Sequence, residues 1–177
     1  MAQIVQDLPF YDEHRPIEIE GRQYDVLPRQ LIVWVSLTPE GLGLDAGTPR
    51  FPVVLDPAFT DSFLIHQEQL EQFAGLQRAH LRRLSRTLRS SGRLIPVYLA
   101  DVWLHRNVPG ERDRFPDVAP FRLALHFGIG ICTDPDLYPR LPLLGARAFR
   151  QNELLVTIDY KKCRVSIRTP RRFWFFG

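Results

Sequence analysis

The sequence predicts an all-β fold, and three observations carry that expectation. Apolar runs are short and rich in β-branched and aromatic residues, as in Leu31-Ile32-Val33-Trp34-Val35-Ser36-Leu37. Clusters of Gly, Asp and Pro separate those runs at short intervals. The 15 prolines, beside 11 glycines, suit ordered loops between short strands better than long helices.

Taken in order, residues 1–28 mix charges with prolines and hold one short alternating run, Ile17-Glu18-Ile19-Glu20, closed by Gly21; they read as an N-terminal arm or edge hairpin. Leu31 to Leu37, bounded by Pro28 and Pro39, is a buried strand, and the Gly- and Asp-rich stretch after it is a loop. Phe51 to Leu55 is a second strand that runs into Asp56-Pro57-Ala58-Phe59-Thr60-Asp61, and Ser62 to Ile65 resumes the strand pattern. From His66 to Ala74 the apolar residues fall three and four apart and Gly75 follows, which predicts a short helix. The segment from Arg78 to Arg89 fits helix or strand equally, because Leu81, Leu84 and Leu88 have helical spacing while Leu84, Arg86 and Leu88 share one strand face. A turn at Ser91-Gly92, one strand over Leu94 to Leu104, a polar loop outside the core from His105 to Pro120, and another strand over Phe121 to Cys132 come next. Leu141 to Gly145 leads into a short helix over Ala146 to Gln151, and Leu154 to Asp159 with Arg164 to Arg168 form a hairpin.

A chain of 177 residues is long enough for one domain with its own core, and 45% hydrophobic with 24% charged residues excludes disordered, coiled-coil and collagen-like classes. No apolar run approaches the ~20 residues of a membrane span, and Met1 to Arg15 lacks the basic start and apolar stretch of a secretion signal; a soluble, cytoplasmic protein is expected. Cys132 and Cys163 lack the spacing of a zinc site and read as small buried apolar residues. The histidines, His14, His66, His80, His105 and His126, are scattered without ligand spacing, so no metal and no cofactor are expected.

Two separated segments resemble the retropepsin-like aspartic peptidase family, in the right order. In the first, an apolar strand delivers Asp56 into a tight loop with Thr60 four positions on; in the second, Leu143-Leu144-Gly145 leads into a short helix, an Ile-Asp strand and a hairpin. The resemblance covers roughly Leu31 to Pro170 and implies a retropepsin-like core over residues 29–170, a closed or partly closed barrel with one or two short helices. It implies an aspartic endopeptidase working as a homodimer on peptide or protein in extended form, with one carboxylate from each chain sharing a proton. Asp56 is then the catalytic residue, and the Thr60 hydroxyl holds its outer oxygen.

The chain departs from the family pattern at Pro57, where a Thr or Ser reaches across the dimer, and at Ala58, where a Gly lets the loop turn and leaves room beside the carboxylates. Pro57 offers neither hydroxyl nor N–H, and Ala58 adds a methyl and disfavours positive φ. The rival reading is therefore a catalytically inactive descendant of the fold, a binding or dimerisation module that takes extended peptide by strand addition. A nucleic-acid-binding protein ranks third, since the arginines from Arg78 to Arg89 read better as a solvated face at a net charge of only +3. The tail, residues 171–177, pairs Arg171-Arg172 with Phe173-Trp174-Phe175-Phe176 and is expected to dock on an apolar surface such as a dimer partner.

Overall fold

The structure is a computed structural model that describes residues 2–19 and 21–170; the aromatic tail lies outside the described residues. Strands dominate, as expected. They are β1 (Gln3–Pro9), β2 (Ile17–Ile19), β3 (Arg22–Tyr24), β4 (Leu31–Pro39), β5 (Phe51–Asp56), β6 (Phe63–His66) and β7 (Arg83–Ser90). The series continues with β8 (Arg93–Tyr98), β9 (Ala100–Leu104), β10 (Phe121–Leu123), β11 (Ile129–Cys132), β12 (Leu143–Gly145), β13 (Leu155–Asp159) and β14 (Arg164–Arg168). The two α-helices are short, α1 (Gln67–Ala74) and α2 (Ala146–Gln151), and no helix among the described residues is long and apolar enough to cross a membrane.

Nine strands form one sheet in the order β10-β9-β4-β5-β12-β6-β11-β8-β7. The order is open, with β10 and β7 at its two ends, so the ring of a closed barrel is not formed among the described residues. β4 and β5 are buried almost throughout, which explains why their sequences are continuous apolar runs rather than alternating ones. Phe51, Phe63, Ile32, Leu37, Ile65 and Leu104 are fully buried at the centre of the core. At an average of about 25 cal/mol per Å² of buried apolar surface, side chains of this size each contribute roughly 2–3 kcal/mol.

The middle of the sheet positions the site. β12 lies between β5 and β6, parallel to the first and antiparallel to the second, and β11 runs parallel to β6. Two strands consecutive in sequence, β5 and β6, are thus held one strand apart. The loop joining them must span two inter-strand spacings, about 10 Å, and pass over the end of β12.

Helix α1 is closed at both ends. His66 Nδ1 accepts from the Glu68 N–H while Gln69 Oε1 accepts from the His66 N–H, and Gly75 ends the helix at φ 64°. The ambiguous basic segment resolves as a 3-10 turn at Arg78–His80 followed by strand β7, because β7 finds a partner in β8 through a hairpin at Ser91-Gly92.

Three expectations need correction. Leu94 to Leu104 is two strands rather than one, since the chain leaves the β7–β11 side at Leu99 and rejoins the sheet beside β4. Phe121 to Cys132 is likewise divided, by a turn at Gly128 (φ 71°) whose N–H bonds the Leu125 carbonyl. The loop from His105 to Pro120 does not lie outside the core: Asn107 and Arg112 are buried and clamp the N-terminal arm. Asn107 bonds the Gln6 N–H and carbonyl, and Arg112 reaches the carbonyls of Arg15 and Pro16. That arm holds a strand with no clear sequence signal, β1, which joins β14 and β13 in a separate three-stranded sheet.

Candidate active site

Asp56 stands at the last position of β5, in register with Gly145 at the end of β12. The residue is half-buried while its carboxylate bond lies exposed: Oδ1 accepts the Ala58 N–H at 2.9 Å, and the Asp56 carbonyl accepts the Phe59 N–H at 3.1 Å. This is an Asx turn, the conformation a short carboxylate imposes on the two residues after it. One oxygen is therefore fixed by backbone, and Oδ2 has no hydrogen-bond partner among the described residues.

The loop is stitched to β12 and α2. The Gly145 N–H donates to the Ser62 carbonyl (3.0 Å) and the Ala146 N–H to the Phe59 carbonyl (2.9 Å). A Cβ on Gly145 would collide with the carbonyl oxygens of Asp61 and Phe59, so the residue is glycine for want of space, its φ of −103° being open to any residue. Arg147 then pairs with Asp61 at 2.7 Å, both side chains more than half covered, and locks the far end of the loop. Ser62 is buried beside it.

Of the residues singled out from sequence, Asp56, Pro57 and Ala58 sit together at the mouth of the loop, with Pro57 and Ala58 exposed. Ala58 is not among the residues with positive φ, so its methyl introduces no left-handed strain. Thr60 is exposed, and no hydrogen bond joins it to Asp56 among the described residues; the outer carboxylate oxygen is not held by Thr60 within one chain.

Strands β7 and β8 fold over the same region. Leu64, Leu88, Ile95, Val97 and Cys132 form a second apolar cluster, smaller than the main core, against which Phe59 of the Asp56 loop, Leu84 and Leu143 pack. Leu88 lies so close to Gly130 that a side chain there would strike it. The Asp61–Arg147 pair and the steric demand on Gly145 escaped the sequence reading. The first has no local signal, as its members lie far apart in the chain; the second was legible only as a Leu-Leu-Gly motif.

His14, His80 and His126 are exposed. His66 caps α1 and stacks on Tyr138, ring centroids 4.1 Å apart. His105 lies 2.8 Å from the Ser36 hydroxyl, which itself donates to the Pro49 carbonyl at 2.7 Å, so Nε2 carries the proton and donates. Burial and the Arg50 guanidinium hold this imidazole down at about 4. With its hydroxyl engaged and only 1% exposure, Ser36 is not a nucleophile. Cys132 is buried, with its thiol pushed up by burial, whereas Cys163 is only half-buried. No family model matches the sequence, and neither a curated protein nor a solved structure matches it.

Proposed function

We propose that the chain is a retropepsin-like aspartic endopeptidase that acts as a homodimer, with Asp56 as its catalytic carboxylate and an activity lowered by Pro57 and Ala58. The observation that carries the reading is the placement of Asp56. It ends an apolar strand, in a loop drawn tightly over β12, with one oxygen fixed by the Ala58 N–H and the other without a partner among the described residues. A carboxylate so held is suited to face its equivalent in a second chain. Two such groups close together share one proton, since both cannot ionise. The ionised member takes a proton from water as the water attacks the peptide carbonyl, and the protonated member gives its proton to the carbonyl oxygen.

The altered loop favours a second reading, a binding module that keeps the fold and takes extended peptide. Pro57 cannot donate across a dimer, and Thr60 makes no bond to Asp56. The two readings separate in one assay on a diverse peptide library. The peptidase reading expects weak cleavage at acidic pH that fades toward neutrality, is abolished by Asp56→Asn, and rises when Pro57→Thr and Ala58→Gly are combined. Silence from both the parent and the restored variant assigns the binding module. Cleavage that survives Asp56→Asn removes Asp56 from the mechanism.

A further inference from the structure

β7 turns one face toward the Asp56 loop. Its covered positions are Leu84, Arg86, Leu88 and Ser90, while Arg83, Ser85, Thr87 and Arg89 are exposed. Leu84 and Leu88 join the apolar cluster that reaches Phe59 and Leu143, so Arg86 is a cation on an otherwise apolar surface. A guanidinium placed there needs an anion or a ring to offset its lost hydration. It has the ring: Arg86 lies over Phe127, 4.2 Å from the centroid, and Arg147 approaches the same ring at 5.0 Å.

The charges around that ring do not balance. Arg147 is paired with Asp61 of the loop, whereas Arg86 has no carboxylate partner among the described residues and its Nε is buried without an acceptor. A buried N–H left unpaired is unfavourable, and more so when the group is charged. Phe127 remains 42% exposed.

We propose that Arg86, with Arg147 beside it, forms a subsite that selects a Glu or Asp side chain in the extended peptide bound over the Asp56 loop. The substrate carboxylate meets the guanidinium fork in bidentate fashion, and its methylenes lie along Phe127. The proposal rests on the reading of the Asp56 loop as a peptide-binding site.

The test uses the full chain carrying Asp56→Asn and reads binding alone. The probes are two pools of fluorescein-labelled decapeptides, capped at both ends and otherwise free of acidic residues, with Glu or Gln fixed at each central position in turn. Fluorescence anisotropy is expected to give about tenfold tighter binding of a Glu pool over its Gln counterpart at low salt. Arg86→Gln brings the ratio to about one. Arg86→Lys, which keeps the charge without the fork, gives an intermediate ratio and serves if the Gln variant folds poorly. Equal binding of the two pools, a ratio that survives Arg86→Gln, or no binding of either pool overturns the proposal. A Glu preference in a chain that never cleaves leaves the subsite standing and removes only the peptidase reading, whereas cleavage without that preference removes only the subsite.

Discussion

Gly145 shows how a single position can be decided by space alone. Its neighbours above are the carbonyl oxygens of Asp61 and Phe59, which cannot swing aside as the tip of a side chain would. Gly145→Ala is expected to destabilise the fold by about 3 kcal/mol, read as a lower urea midpoint, because the whole loop must lift from β12. His105 sets a second residue-scale limit. The unfolded chain binds the imidazole proton near the ordinary value of 6.5, the folded chain only near 4, so the unfolded state holds more protons between those values. Stability therefore falls as pH drops through that window and levels off below it. The loss is about 1–2 kcal/mol once the partly solvated side of the ring is allowed for. Urea midpoints at pH 7 and pH 5 check this, since His105→Asn should lack that part of the slope. Neither effect was legible from sequence. Asp56 and the Gly145 motif were, being features of a strand end, but what presses on Gly145 and what buries His105 come from segments remote in the chain.

Among the elements, those legible in the sequence carry their own punctuation. Pro28 and Pro39 bracket β4, Gly75 stops α1, and Tyr160-Lys161-Lys162 separates β13 from β14. What could not be read was which neighbour each strand would find: the run from Leu94 to Leu104 divides at Leu99 because its halves pair with different strands. β1 was missed because its partner, β14, supplies the burial that makes it a strand. The β7–β8 hairpin gives an element-scale prediction. Ser91 and Gly92 both have positive φ, 48° and 78°, the pattern of a tight type I′ turn whose twist suits the flanking strands. Gly92→Ala should cost about 1 kcal/mol. Ser91→Asn should recover roughly half of that, since Asn tolerates the left-handed region. Thermal unfolding of the three proteins orders them. The order matters to the site because this hairpin carries Arg86.

For the whole molecule, one Asp56 loop per chain means that the proposed chemistry requires two chains about a two-fold axis. Size exclusion with light scattering at micromolar concentration is expected to give twice the chain mass of 20.6 kDa; a monomer would remove the peptidase reading. Among the described residues the three-stranded sheet leaves the β13 edge for such an encounter, with Leu155 46% exposed, whereas the β1 edge is taken up by Asn107, Gly110 and Arg106. The same sheet brings the two ends of the described chain together, the Thr169 N–H donating to the Ala2 carbonyl at 3.0 Å and the Ala2 N–H to the Thr169 hydroxyl at 2.9 Å. That closure has a kinetic side. Joining strands some 160 residues apart costs about 4.5 kcal/mol of loop entropy in a chain not yet folded, and far less once the nine-stranded sheet has brought the ends near. β1 is therefore expected to pair with β14 late in folding, which pulse-labelled hydrogen exchange would show as late protection of its amides. Until then its Ile4, Val5 and Leu8, later buried, are an open edge on which nascent chains can associate wrongly.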